Sequence, residues 1–141
     1  MDKIKLFIPR FIRKRLFKMK MFVLGKHKRK TMDKYINKYN LNIFIETGTY
    51  LGDTLFRLRN KFKELYSIEL SEYYYKLAED RFKNINNIYI IQGDSGEKLK
   101  DLLKNINDSV FFWLDGHYSA GLTAKAELET PIIQELDSIF N

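Results

Sequence analysis

The stretch from Asn42 to Asp53 admits few folds. Ile43, Phe44 and Ile45 form an unbroken apolar run, which a central parallel strand requires because both of its faces are covered. Gly48 and Gly52 then remove side chains where the backbone must turn sharply and approach a ligand. The helix that follows is expected to carry Leu51, Leu55, Leu58 and Phe62 on one stripe. A buried strand, a glycine loop and a helix, with Glu46 at the strand end, make one βα unit of an open α/β sheet. The pattern Glu-x-Gly-x-x-x-Gly lacks the third glycine of the dinucleotide fingerprint. Alone, it is equally compatible with a tight turn that binds nothing.

The unit recurs down the chain. Leu65 to Glu69 reads as a second strand ending in an acid, seventeen residues past Gly52, about where a strand-end carboxylate meets ribose hydroxyls in a βαβ nucleotide site. Ser71 is a candidate N-cap for a helix that buries Tyr74, Leu77, Ala78 and Phe82. Ile88 to Gln92 reads as a third strand, ending at Gly93-Asp94-Ser95, and a third helix presents Leu99, Leu102, Leu103 and Ile106. Val110 to Leu114 is a fourth strand, ending at Asp115. Any one of these acids could be an ordinary helix cap or a solvated loop residue. Four of them in register at one sheet edge are harder to explain so, since ligands of open α/β sheets bind outside the carboxyl ends of the strands.

On Glu46-Thr47-Gly48-Thr49-Tyr50-Leu51-Gly52, Glu69, Gly93-Asp94-Ser95 and the segment from Asp115 onward, the chain from about Asn42 to Asn141 resembles the class I S-adenosylmethionine-dependent methyltransferases. The resemblance implies a Rossmann-like, doubly wound parallel sheet in the order 3-2-1-4, with later strands of the family missing. It also implies roles. The loop of Glu46, Thr47, Gly48, Thr49 and Gly52 would lie against the methionine moiety of S-adenosyl-L-methionine, and Glu69 would bind the ribose hydroxyls. Asp94 would meet the adenine amino group with Ser95 beside it. Tyr50 stands where many members carry a middle glycine, so the loop is a divergent form. The acid after the third strand argues against an NAD-binding reading.

Asp115 to Ala124, with two glycines and several small residues, is expected to be a loop running until Thr130 and Pro131. There a threonine N-cap and a proline at the first helical position start a last helix that buries Ile132, Ile133, Leu136 and Ile139 or Phe140. Loops of this length in compact domains are usually functional. His117 can accept a proton near neutral pH, as deprotonation of a hydroxyl acceptor requires. An orienting hydrogen bond or a plain surface position are equal alternatives. The resemblance places Asp115, His117 and Tyr118 near the methyl acceptor as catalytic candidates. No metal site is expected: the chain has no cysteine and two distant histidines, and partner ligands for Asp115 on a following strand are absent.

The net charge of +7 is unevenly spread. Residues 1–30 hold twelve Lys or Arg against Asp2, a local charge of +11, which leaves −4 for residues 31–141. We therefore divide the chain into a basic arm, 1–30, and a partial cofactor-binding domain, 31–141. Phe11, Ile12, Leu16, Met19, Phe22 and Val23 recur at helical spacing among the arm's cations. A basic amphipathic N-terminal helix of this kind suits an anionic membrane surface. Packing onto the domain or another subunit is the competing reading. Nucleic acid has only charge in its favour, because no aromatic stacking platform is evident. No apolar run approaches the length that spans a bilayer and no secretory cleavage signal is evident, so the expected location is cytoplasmic, at most peripheral to a membrane.

The leading functional expectation is methyl transfer to a small-molecule or glycan acceptor. A non-catalytic cofactor-binding remnant is the second, favoured by the missing strands, and an NAD-dependent oxidoreductase the third. With strand order 3-2-1-4 the fourth strand would be a bare edge, prone to self-association. Either the reading frame is truncated, or another subunit or the arm closes that edge.

Overall fold

The computed structural model describes residues 26–116 and 131–141. The chain forms two compact units, Met1–Asn40 and Leu41–Asn141. In the first, residues 26–38 form helix α1, which crosses the change in composition at residue 30. Met32 and Ile36, one turn apart, lie on its covered stripe, while Lys34, Tyr35, Lys38 and, just past its end, Tyr39 are exposed. The Tyr35 and Tyr39 rings lie parallel, 6.5 Å apart. Lys34 and Lys38 sit over them at 5.8 and 4.8 Å, an arrangement that joins cation to aromatic face. The arm's apolar periodicity between Phe11 and Val23 lies outside the described residues.

The second unit runs β1 (Ile43–Thr47), α2 (Asp53–Leu58), β2 (Glu64–Glu69), α3 (Glu72–Phe82), β3 (Ile88–Gln92), α4 (Ser95–Leu103), β4 (Val110–Leu114) and α5 (Ile132–Phe140). The four strands form one parallel sheet in the order β3-β2-β1-β4, as expected. All five residues of β1 are buried, which for alternating side chains means cover on both faces. Ile43 and Ile45 join Ile68 and Leu99 in a core to which Leu102, Leu103 and Ile139 add their partly buried side chains. On the opposite face the Phe44 ring meets those of Phe62 and Phe111 at 5.4 and 5.9 Å. The sheet is thus doubly wound and Rossmann-like. Among the described residues β4 pairs with β1 alone, and all five of its residues are only half-buried.

Three helix faces differ from the sequence expectation. Leu51 is 44% exposed because the chain is not yet helical there: Gly52, in the left-handed conformation, is the N-cap of the six-residue α2. Phe62 is buried, but beyond the end of that helix. In α3, Ser71 caps as expected and Tyr74, Ala78 and Phe82 form the buried stripe. Leu77 falls on its margin and is 42% exposed.

The largest departure is α5. Its N-cap is Pro131, with Thr130 outside the described residues. Ile133 and Leu136, expected inside, are exposed, and of the alternatives Ile139 and Phe140 it is Phe140 that faces solvent; Ile133 and Phe140 are exposed by 73% and 79%. Ile132 and Ile139 do face inward. Between them, the fully buried residue of the helix is Glu135, 1% exposed. Polar partners decide the rotation of this helix, as the site shows.

Candidate functional site

The βα loop after β1 is built from left-handed residues. Gly48, Tyr50 and Gly52 have φ of 85°, 50° and 74°, the region that favours glycine. The Gly52 amide donates to the Thr49 carbonyl at 2.8 Å, closing the turn. A Cβ at Gly52 would lie 2.6 Å from the Phe82 ring, so the glycine lets α3 pack against the start of α2. A Cβ at Gly48 would lie 3.0 Å from the Asp115 carbonyl oxygen. The exits of β1 and β4 therefore pass one another with no room for a side chain. Tyr50 adopts a glycine-like conformation. Its ring, nearly half exposed, rests 4.8 Å from that of Tyr74.

Glu46 lies under this loop, 2% exposed. Ser67 donates to its Oε1 at 3.0 Å, and the Thr49 and Ser67 hydroxyl oxygens are 2.6 Å apart. A hydroxyl carries one proton, so Thr49 donates to Ser67 and Ser67 to Glu46. The chain of bonds joins loop, β2 and β1. Burial raises the Glu46 carboxyl to about 8, against the lowering effect of Ser67, and the charges of Asp115 and Glu69 push the same way as burial. Glu46 is therefore largely protonated at neutral pH.

Glu69, also buried, is held differently. Its Oε2 accepts from the Tyr50 amide at 2.8 Å and its Oε1 from the Ser71 amide at 2.9 Å. Each oxygen retains a lone pair, so the carboxylate is fixed in place and can still accept from a ligand. Asp94 is the N-cap of α4, accepting from the Gly96 amide at 2.8 Å. The ordinary structural role thus applies to Asp94 without excluding a second one.

Across the sheet lies a group of side chains that spacing did not reveal. Ser95 donates to Glu135 Oε1 at 2.6 Å, and the Thr47 hydroxyl lies beside the same carboxyl across Gly116. Thr47 Oγ1 accepts from the Gly116 amide at 3.1 Å, and the Asp115 amide donates to the Thr47 carbonyl at 3.2 Å. Burial, more than the nearby Asp94 charge, raises the Glu135 pKa, while the neighbouring hydroxyls of Ser95 and Thr47 lower it.

The structure thus brings Glu46, Thr47, Gly48, Thr49, Gly52, Glu69, Asp94, Ser95 and Asp115 to the carboxyl edge of one sheet. The charges of Asp115 and Glu69 act on Glu46, and that of Asp94 on Glu135. His117 and Tyr118 lie outside the described residues. Ser67 and Glu135 are the additions. Ser67 was visible as the one small hydroxyl between Tyr66 and Ile68 in its strand; Glu135 was hidden by the isoleucines around it. Among the described residues no group of three or more acidic or histidine side chains is placed to hold a metal ion.

No family model matches the chain, and no curated protein matches it. Among solved structures it is similar to a protein described as a caffeoyl-CoA O-methyltransferase from Staphylococcus aureus, at 19% identity and a TM-score of 0.49, over 58% of this chain and 42% of that one. It is also similar to the methyltransferase domain of bacterial CtHen1, at 18% identity and a TM-score of 0.46, over 54% and 46%. The chain spans less than half the length of either. Likenesses this remote carry no weight on function, and the functional reading rests on the site's own geometry.

Proposed function

We propose that Leu41–Asn141 binds S-adenosyl-L-methionine at the carboxyl edge of its sheet and serves methyl transfer to a hydroxyl of a small molecule or glycan. The observation that carries this reading is the Glu69 carboxylate, fixed by the Tyr50 and Ser71 amides beside a loop of three left-handed residues. A carboxylate so held is preorganised to accept from two vicinal ribose hydroxyls. Asp94 and Ser95, at the first turn of α4, lie at the next strand exit and suit the adenine edge. Glu46, protonated and buried beneath the loop, suits the cofactor's methionine end. Bound S-adenosylmethionine supplies an electrophilic methyl group on its sulfonium. The acceptor's proton must then leave, and Asp115, at the β4 exit, with the adjoining His117 and Tyr118 are the candidates to orient the acceptor and take that proton.

The exposed Lys34, Tyr35, Lys38 and Tyr39 of α1 and the cationic residues before it support contact with an anionic membrane surface, where amphipathic rings and ammonium groups are favoured. No helix among the described residues is long and apolar enough to cross a membrane.

The test is titration with S-adenosylhomocysteine, S-adenosylmethionine and NAD by calorimetry. Binding of the first two and not of NAD is expected. Glu69→Ala should lower affinity more than tenfold, from the loss of about 1.5 to 3 kcal/mol of charge-assisted hydrogen bonding. Equal binding by wild type and this variant would remove Glu69 from the site.

A further inference from the structure

We propose that Glu135 is a positioning residue for the cofactor site. From inside α5 it fixes the first turn of α4 and the backbone leaving β4 relative to the end of β1. This deepens the reading above and rests on it where cofactor affinity is concerned.

A carboxyl group buried to 1% exposure is unfavourable unless its oxygens are satisfied. Here that cost falls on the face of α5 that turns inward, while Ile133 and Phe140 on the same helix face solvent. Rotating α5 would bury apolar surface instead. The helix is held by what Glu135 touches. Ser95 opens α4 immediately after Asp94, and Thr47 ends β1 immediately before Gly48.

The connection continues beyond those two residues. Thr47 Oγ1 accepts from Gly116 N–H at 3.1 Å, and Gly116 sits against both this hydroxyl and the Glu135 carboxyl. One carboxyl therefore holds the adenine-side turn at Asp94-Ser95 by a hydrogen bond and lies against Thr47 and Gly116, at the loop entrance and at the strand exit that leads to His117. The space is filled: a Cβ at Gly116 would meet Thr47 Oγ1 at 3.0 Å and Glu135 Oε1 at 3.4 Å. Three strand exits that must agree to within a fraction of an ångström to hold one ligand are thus tied through a residue that need not touch the ligand.

The full-length chain tests this with three variants. Glu135→Ala removes the acceptor for the Ser95 hydroxyl and the group that lies against Thr47 and Gly116. Glu135→Gln keeps the shape and one acceptor oxygen. Ile139→Ala loosens the same helix through its apolar contact with the core and serves as the control for destabilisation without loss of the polar link. Titration with S-adenosylhomocysteine should show about a tenfold or greater loss for Glu135→Ala, in line with loss of buried hydrogen bonds. Glu135→Gln should recover most of that affinity and Ile139→Ala should stay near wild type. Equal losses in Glu135→Ala and Ile139→Ala, or none in Glu135→Ala, would overturn the proposal.

A second readout is independent of the cofactor. In amide hydrogen exchange the Gly116 and Gly96 amides should exchange at least about tenfold faster in Glu135→Ala, with Ile45 and Ile68 unchanged. If the wild type binds no S-adenosylhomocysteine, the functional reading falls while exchange still judges the positioning role. Unchanged exchange at Gly116 and Gly96 would then overturn it.

Discussion

Replacing Glu46 by Gln should change how stability depends on pH, and the size of the change follows from the burial of one carboxyl. In the folded chain Glu46 titrates at about 8, raised from 4.5 chiefly by desolvation. Below about pH 4.5 the carboxyl is neutral in both folded and unfolded chains and makes no difference between them. As pH rises further, the unfolded chain releases its proton while the folded chain keeps it. Stability is then lost with pH, at about 1.4 kcal/mol per unit, until the folded carboxyl itself ionises near 8. The accumulated loss over that window is about 5 kcal/mol, a large share of a small domain's stability. Glu46→Gln retains an oxygen for the Ser67 hydroxyl and has no proton to lose, so its curve should lack this slope. Urea unfolding of both proteins at pH 5, 6.5 and 8 measures the difference. Other groups, including Glu135, are common to both and cancel to first order. The variant should gain on the wild type steadily with pH and level off above pH 8. Parallel curves would refute the assignment of Glu46 as a buried neutral acid.

Three further outcomes are expected. Binding of S-adenosylhomocysteine, whose α-ammonium would lie near Glu46, should release a proton at pH 7; calorimetry in phosphate and in Tris should differ by their ionisation enthalpies, and Glu46→Gln should abolish the difference. Gly52→Ala should destabilise the domain by about 2 to 4 kcal/mol in urea unfolding, because a φ of 74° strains an L-residue and its Cβ would meet the Phe82 ring at 2.6 Å; adding Phe82→Leu should relieve only the steric part. The whole chain should sediment with vesicles containing anionic lipid, less as salt rises, and deletion of Met1 to Lys30 should abolish this; equal binding to neutral vesicles would refute the electrostatic attraction.

The strands were legible in the sequence because each is an apolar run stopped by a polar residue, and their order was what the resemblance to the class I methyltransferases implied. Glu46, Glu69, Asp94 and Asp115 could be located for the same reason. What each acid does was less legible. Nothing in the spacing says that the Glu69 oxygens meet the Tyr50 and Ser71 amides, or that Glu46 depends on Ser67, a residue on another strand. The face of α5 was misjudged because Ile132, Ile133, Leu136, Ile139 and Phe140 offer more than one apolar stripe, so hydrophobic pattern alone leaves its rotation undetermined. Ser95, distant in sequence, selects the stripe that contains an acid by hydrogen-bonding it. Leu51 was misjudged through a boundary: Gly52 starts its helix later than the apolar spacing suggests.

Tyr50 carries a consequence for how such loops diverge. A left-handed φ of 50° costs an L-residue about 1 to 2 kcal/mol relative to glycine. A tyrosine whose ring packs on Tyr74 at 4.8 Å recovers about 0.5 to 1.5 kcal/mol of this, and it also avoids the extra chain entropy that a glycine loses on folding. The exchange between the two residues is therefore close to neutral for folding. A lineage could drift across it in either direction while the backbone amide at position 50, which donates to Glu69, stays where it is. What folding asks of position 50 is a dihedral angle and an amide in place, and more than one residue can meet that demand.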